Sequence, residues 1–298
     1  MKIKFWGVRG SIATPGESTV RYGGNTSCTE LHLDDGSLII LDAGTGIRNL
    51  GNELANSGEK VQACILITHP HWDHIQGFPF FRPAFMAGNQ ITIVGPEAKG
   101  VALDKLIAEQ MNKIYFPVRL SELQAKIKFM PLKEDTIKVY GAKVQTIFVN
   151  HPGFTLGYKI TCNNKTLVYI SDDEPYSRES ARLFTNSEPE VLKLFENYPG
   201  NPNQRIVDFV KGADVLIHDS TYTPEQYQEH IGWGHSHYLF TLQLAEEAKV
   251  KNVFLFHYDP SLDDDTIDEI IGKCEREMKR KKYSLKLCAA KEGLEFQF

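Results

Sequence analysis

The sequence predicts a layered α/β fold, on three observations. Short apolar runs with strand character recur along the 298 residues, with amphipathic helical stretches interspersed among them. One such run, Ala63-Cys64-Ile65-Leu66-Ile67, passes directly into Thr68-His69-Pro70-His71-Trp72-Asp73-His74. Three further strand-like runs lead into side chains able to bind a metal, His151, Asp172 and His257. A rigid sheet presents such residues along one edge.

The elements follow in order. Residues 1–7 alternate polar and apolar side chains and read as an edge strand that enters the fold at once. Residues 29–33 and 37–41 flank Asp34-Asp35-Gly36, a hairpin turn signal. The second strand runs into Asp42-Ala43-Gly44-Thr45-Gly46, and a polar, helix-compatible segment covers 47–57. Later strands are expected at 91–94, 136–140, 143–149, 156–161, 166–170, 215–217 and 253–256, and residues 284–298 are again strand-like. Helices are expected at 101–112, 190–198, 204–211, 239–248 and 266–282. The last reads as a helix from Ser261 onward, with Ile267, Ile270, Ile271, Cys274 and Met278 on one face. Asp263, Asp264 and Asp265 lie at its start and Lys279-Arg280-Lys281-Lys282 at its end. Both groups suit the helix dipole, so the basic run reads as a helix terminus rather than a nucleic-acid patch.

Composition narrows the class. No Pro/Gly/Ser-rich linker, internal repeat or low-complexity tract divides the chain. No signal peptide is seen, and no apolar run approaches the ~18 residues that span a membrane, so a cytoplasmic location is expected. Cys28, Cys64, Cys162, Cys274 and Cys288 are scattered, without a CxxC pair, and read as free thiols of a reducing compartment. A net charge of −5 gives the chain as a whole no electrostatic reason to bind nucleic acid.

The histidine-rich run carries the chemistry. Core packing cannot satisfy three imidazoles and a carboxylate within so short a stretch, but metal ions held side by side can. At a strand end, His69 and His71 project together toward one ion, and Asp73 and His74, on the turn that follows, serve a second. Imidazole suits Zn, Fe, Ni or Cu, and a carboxylate adds a hard oxygen that Mn or Fe also accept. The plain alternative is a His-rich surface loop. The H-x-H-x-D-H spacing and the preceding strand together speak against it.

On this motif and the ordered set His151, Asp172 and His257, the chain resembles the metallo-β-lactamase superfamily, in the branch holding ribonuclease Z and related phosphodiesterases. The resemblance covers nearly the whole chain. It implies an α/β fold of the metallo-β-lactamase type, a four-layer αββα sandwich with metals at one edge, formed by a single domain over 1–298. It also implies two divalent metal ions per chain, zinc foremost, with manganese or iron as alternatives. His69, His71 and His151 would bind the first, Asp73, His74 and His257 the second, and Asp172 would bridge the pair. Flavin-linked di-iron relatives carry a glutamate where this chain has His71, which disfavours an oxygen-reducing role. Asp42 resembles the family aspartate that orients a ligand histidine or its loop; a plain turn aspartate is the alternative. Gly7-Val8-Arg9-Gly10-Ser11 and Gly23-Gly24-Asn25-Thr26-Ser27 match no Walker loop, so a nucleotide cradle of that kind is rejected. In relatives these loops lie beside the metal site.

A second constellation selects the branch. Leu216-Ile217-His218-Asp219-Ser220-Thr221-Tyr222 and Gly232-Trp233-Gly234-His235-Ser236-His237 resemble the H-E-A-T and G-H-S motifs of ribonuclease Z and its phosphodiesterase relatives, with Asp219 where a glutamate is usual. By that resemblance Asp219 holds and polarises His235. Protonated His235 would stabilise a phosphorane and give a proton to the leaving oxygen. Asp73 is expected both to ligate the second metal and to orient or deprotonate a metal-bridging hydroxide or its parent water. His32, His218 and His230 read as structural or surface residues, and His237 as a surface residue. β-Lactam hydrolysis needs no such acid, so the Asp219/His235 pair favours phosphodiesters.

Ribonuclease Z recruits transfer RNA through a long basic arm. Here the stretch after Asp172 reads as a short helical insertion without one, which disfavours RNA. The expectation is a soluble metal-dependent phosphodiesterase acting on a small phosphodiester such as a cyclic nucleotide. A ribonuclease Z-like RNA endonuclease is the alternative, and a metal-site ligand or oxygen sensor is an alternative of another class. The resemblance also implies a homodimer. The aromatic segments Phe78-Pro79-Phe80-Phe81-Arg82-Pro83-Ala84-Phe85 and Tyr115-Phe116-Pro117 either stack a base or pack as core or dimer contacts.

Overall fold

The structure is a computed structural model that describes residues 1–98, 100–183 and 189–298. Two seven-stranded sheets stack face to face. The first takes β1 (Lys2–Gly7), β2 (Cys28–His32), β3 (Leu38–Leu41), β4 (Gln62–Leu66), β5 (Gln90–Gly95) and β6 (Lys126–Pro131) in chain order. The second takes β7 (Thr136–Val139), β8 (Ala142–Phe148), β9 (Leu156–Cys162), β10 (Lys165–Ile170), β11 (Val215–Asp219), β12 (Asn252–Phe256) and β13 (Lys286–Ala289). Strand β14 (Glu295–Gln297) returns to the first sheet.

Alternation along the strands builds the core. Ile3 and Phe5 of β1 point inward and are fully buried, while Lys2, Lys4 and Trp6 are only half-buried. The Phe5 ring sits 5.2 Å from Phe254 and 6.1 Å from Phe256 of β12, joining the two sheets. Truncating such a ring to alanine costs about 3–5 kcal/mol.

Helices cover the outer faces. Helix α1 (Ile47–Asn56) packs on the first sheet, where a second apolar cluster lies. The short α2 (Trp72–Ile75) follows β4, and α3 (Leu103–Gln110) packs on β6. Helices α4 (Arg178–Leu183), α5 (Pro189–Glu196), α6 (Gln204–Val210), α7 (Pro224–Glu229), α8 (Tyr238–Glu247) and α9 (Asp264–Lys281) belong to the second half, with α8 lying over β11 and β12. This is the four-layer αββα arrangement.

Strand direction places the site. Strands β10 to β13 are parallel. Strand β8 is antiparallel to β9, which is antiparallel to β10, so β8 and β10 run the same way. The C-terminal ends of β8, β10, β11 and β12 therefore share one edge. His151, Asp172, Asp219 and His257 lie at or just beyond those ends. Strand β4 delivers residues 68–74 from the other sheet. Open α/β sheets bind ligands at such carboxyl ends.

Two strand expectations need correction. Strand β1 is not an edge, because β14 pairs on its outer side with Lys2 opposite Gln297 and Lys4 opposite Glu295. The strand-like tail splits between the two sheets, a long-range pairing that alternation cannot reveal. Strand β6 was not expected either. It forms the edge opposite β14, and its lysines at 126 and 128 and Pro131 suit an edge that must not recruit another chain.

The charged runs are local. Asp263 caps α9 by accepting from the Thr266 N–H at 2.8 Å, and Arg280 and Lys281 pair with Glu277 one turn back. In α4 and α5 the positive Arg178, Arg182 and Lys193 face an equal number of glutamates, Glu179, Glu190 and Glu196. The described part of the insertion after Asp172 thus carries no basic excess. All cysteines are free thiols. No helix of the described residues is long and apolar enough to cross a membrane.

Candidate metal centre

Strand β4 ends at Leu66, and the chain then turns into α2 through Thr68-His69-Pro70-His71. Asp73 and His74 face inward from α2 and are buried, whereas His71 stands at its N-cap and reaches solvent. His151, Asp172 and His257 arrive from the second sheet, each no more than 3% exposed. Among the groups of three donors that result, two share no residue with each other and match the sets the sequence suggested. The first is His69, His71 and His151; the second is Asp73, His74 and His257. Within each group the ligand atoms lie within 4.8 Å of one another.

Asp172 sits between the groups. Its Oδ1 is 3.2 Å from His74 Nε2, and its Oδ2 is 3.4 Å from His257 Nε2, 3.9 Å from His69 Nε2 and 4.0 Å from His151 Nε2. Asp73 Oδ2 is 3.2 Å from both His74 Nε2 and His257 Nε2, and accepts from the Ser11 N–H at 2.8 Å.

The outer ring nitrogens are engaged elsewhere, which turns several Nε2 atoms toward the centre. His74 Nδ1–H donates to Asp42 Oδ2 at 2.8 Å, and His151 Nδ1–H donates to the Gly234 carbonyl at 2.7 Å. Such outer partners fix tautomer and ring orientation. Asp42 also accepts from the Thr68 N–H at 2.8 Å and from the Tyr169 hydroxyl at 2.8 Å, so it organises the loop as well as the ligand. Both Asp42 and His257 adopt left-handed backbone, with φ of 60° and 62°. Such conformations cost about 1–3 kcal/mol each and persist where the surroundings enforce them.

Three observations fit this cluster to metal. His69 Nε2, His74 Nε2 and Asp172 Oδ1 are buried without an aligned hydrogen-bond partner, although two of them lie 3.2 Å apart. Natural interiors leave few such atoms, and a ligand or ion is the usual explanation. Burial, reinforced by neighbouring histidines, holds His69 well below the usual imidazole range. It also takes His151 down to about 3, so both are neutral and able to coordinate. Burial disfavours charge on His74 as well, but Asp172, Asp73 and Asp42 overcome it and hold that ring protonated. Three carboxylates thus draw positive charge to a point where a divalent cation could replace the proton.

The Asp219 and His235 side chains stand beside this cluster. Asp219 ends β11 and is fully buried, and His235 Nδ1–H donates to its Oδ2 at 2.9 Å. The shorter aspartate therefore reaches the imidazole as a glutamate would. The His235 ring lies 5.0 Å from that of His257 and 5.2 Å from that of His151. Burial lowers its pKa, but Asp219, with smaller help from Asp172 and Asp73, carries the pKa up to about 9.

Other residues supply supports that motif reading did not single out. Glu174 is almost fully buried. Its carboxylate accepts from the Gly232 N–H at 2.9 Å, the Gly234 N–H at 2.7 Å and the Tyr227 hydroxyl at 3.1 Å. It pins the loop that carries His235 and that holds His151 through the Gly234 carbonyl. Gly234 has φ of +88°, and a Cβ there would lie 2.4 Å from His151 Nδ1. The first glycine-containing loop does lie at the site: a Cβ on Gly10 would be 2.4 Å from the His257 ring. Arg9, fully buried, ties that loop down by donating to the carbonyls of Gly23 and Leu262.

The remaining histidines are outside the donor groups. His218 is buried behind the site, its Nδ1 2.9 Å from the Asp219 carbonyl oxygen. His230 stacks on Tyr222 at 4.6 Å, and His32 pairs with Glu30. His237 is not a plain surface residue. It is half-buried and caps α8, its Nδ1 accepting from the Phe240 N–H at 3.3 Å. Ring nitrogens rarely serve as N-caps, so neighbouring sequence gave no signal for it.

Comparison with known proteins agrees with this geometry. The family described as Beta-lactamase superfamily domain matches residues 38–190, just over half of the chain. A ribonuclease Z of Thermoplasma acidophilum is 25% identical over 299 residues, covering 90% of this chain and 89% of that protein. Among solved structures, the metallo-beta-lactamase fold protein YhfI from Bacillus subtilis superposes with a TM-score of 0.67 at 17% identity, covering 99% of this chain and 98% of its own. Unliganded yeast PDE1 gives a TM-score of 0.66 at 17% identity, covering 100% of this chain and 99% of its own. With its histidine-rich loop at the strand edge and its matched region spanning that loop, the chain belongs to the metallo-β-lactamase superfamily.

Proposed function

We propose that this metal-dependent hydrolase cleaves a small phosphodiester, with His235 as the general acid. The observation that carries the reading is the 2.9 Å contact between His235 Nδ1–H and buried Asp219, placed against both donor groups. A charged imidazole beside a metal cluster is useful where an oxygen must leave with a proton. It also suits a reaction centre that gathers negative charge on phosphoryl oxygens.

His69, His71 and His151 would hold one divalent cation and Asp73, His74 and His257 a second, with Asp172 shared. The imidazole-rich set suits zinc, while manganese and iron accept the added carboxylates. Bound there, the cations supply Lewis acidity toward a phosphoryl oxygen and an acidified water.

The chain's own residues do the rest. Asp73 Oδ2, fixed by the Ser11 N–H, accepts a proton or a hydrogen bond from the attacking water. Asp219 keeps the His235 proton on Nδ1 and its Nε2–H free to be donated to the leaving oxygen. Glu174 holds the loop so that His235 and His151 keep their places.

A small diester is favoured over structured RNA. The net charge is −5, and the described part of the insertion after Asp172 has no basic excess. The second reading, an RNA endonuclease, draws support from the Thermoplasma acidophilum ribonuclease Z, which matches nearly end to end. Metal-reconstituted protein should be assayed on 2′,3′- and 3′,5′-cyclic nucleotides and on a precursor transfer RNA, with His235→Ala in parallel. Turnover of a cyclic nucleotide that collapses in His235→Ala supports the proposal. Cleavage of the RNA alone replaces it with the second reading.

A further inference from the structure

Helix α2 has two faces. Asp73 and His74 turn inward, while Trp72 is 78% exposed on the other side. Trp72 lines an apolar groove of 580 Å³ together with Phe80, Tyr115 and Phe116. Phe80 and Phe116 meet edge-on at 5.3 Å, and Tyr115 is 81% exposed. Pro70, which stands between His69 and His71 in the chain, also lines the groove. Clustered exposed rings of this kind mark a binding surface more often than chance.

We propose that this groove is a base subsite, in which Trp72 and Tyr115 stack the heterocyclic ring of a nucleotide whose phosphodiester lies at the metal centre. The proposal rests on the phosphodiester reading above and extends it to the substrate class.

Three features select a nucleobase as the occupant. The amide nitrogen of Gln110, which lines the groove, is buried and has no hydrogen-bond partner. Once the Gln110 side chain turns toward the groove, a ring nitrogen or carbonyl of a base would supply the acceptor that this donor lacks. Among the described residues that line the groove none is Lys or Arg, and one is Glu109, so a polyphosphate or nucleic-acid backbone is disfavoured where a neutral ring is not. Finally, Pro70 and Trp72 are chain neighbours of His69, His71 and Asp73, so the groove lining and the donor groups are carried by the same short segment.

The test pairs binding with catalysis. Metal-loaded wild type, Trp72→Ala, Tyr115→Ala and Gln110→Ala are titrated with nucleosides by calorimetry. The ratio of kcat/KM for a nucleoside 2′,3′-cyclic phosphate to that for ribose 2′,3′-cyclic phosphate, which lacks the base, is measured alongside. The proposal expects saturable nucleoside binding, weakened roughly ten- to hundredfold by loss of a stacking ring, and a ratio that falls by a similar factor. Tyr115→Ala, at a highly exposed position, keeps the test valid if Trp72→Ala fails to fold. A ratio near one in wild type with no nucleoside bound overturns the groove but leaves the phosphodiester reading intact. Nucleoside binding through these residues without cleavage of any diester supports the groove and overturns the phosphodiester reading. A dimer abolished by Trp72→Ala, with no nucleoside bound, overturns the proposal in favour of self-association.

Discussion

Replacing Asp219 by asparagine removes one negative charge and almost no volume. The variant keeps an oxygen for the Thr221 N–H and hydroxyl, which Asp219 Oδ1 now accepts at 3.0 and 2.8 Å. What it loses is the partner of the His235 imidazolium. Burial opposes that charge, and Asp219 is the main group raising the pKa from 6.5 to about 9. The difference is worth roughly 3 kcal/mol at ~1.4 kcal/mol per unit. Without it, only the smaller help from Asp172 and Asp73 is left to oppose burial, and the His235 pKa should fall. Bound cations lower the His235 pKa in both proteins, so the contrast between them survives.

Rates should be measured against pH on two diesters, one losing p-nitrophenolate and one losing an alkoxide. The alkoxide needs the proton, so kcat for that substrate should fall by about 10²–10⁴, while the nitrophenyl ester loses far less. The alkaline limb of the wild-type profile, where His235 loses its proton, should move to lower pH in the variant. Stability carries the same sign. The His235 pKa is raised on folding, so the pair's stabilisation is complete below pH 6.5 and is lost as pH rises to about 9. In metal-free protein the gap in Tm between wild type and variant should be largest near about pH 6 and close above about pH 9. Equal losses on both diesters at every pH would refute the acid role and leave Asp219 a structural residue.

Further outcomes follow from the same geometry. Asp73→Asn should lower kcat by about 10³ or more with a smaller change in KM, measured at matched metal content, because its Oδ2 lies 3.2 Å from both His74 Nε2 and His257 Nε2 and is proposed to receive the proton of the attacking water. Asp42→Ala should weaken metal binding about 10- to 100-fold by competitive chelation, since His74 and the Thr68 loop lose their shared partner. Glu174→Ala should cut kcat and destabilise by about 1–3 kcal/mol in denaturant unfolding, whereas Glu174→Gln, which keeps an acceptor for the glycine N–H groups, should restore most of both. Chelator should abolish activity and lower Tm, with readdition of zinc or manganese restoring both.

Much of the site was readable because its residues are chemically odd for their places. A buried strand running into three histidines and an aspartate has few physical explanations, and the structure does gather His69, His71, Asp73 and His74 with His151, Asp172 and His257. Asp219 and His235, sixteen positions apart, were recognisable through the motif resemblance, and the hydrogen bond between them is present. Glu174 was not legible. Its partners are two backbone N–H groups of a loop 58 and 60 residues away and the Tyr227 hydroxyl, and no local pattern announces them. The tail failed for a related reason: alternation marks 284–298 as strand but cannot assign β13 and β14 to opposite sheets. Strand β6 carries lysines at 126 and 128 and a proline at 131, which weaken its strand pattern in sequence and suit its place at a sheet edge.

The central claim is that the cluster at the strand edge performs phosphodiester hydrolysis with bound metal. The most direct measurement is release of p-nitrophenolate from bis-p-nitrophenyl phosphate by protein whose metal content is determined in the same sample. Turnover that tracks occupancy of the donor groups, approaching two equivalents per chain, and that disappears in Asp172→Ala is the predicted result. Protein that holds two equivalents of metal and yet releases no nitrophenolate would contradict the account.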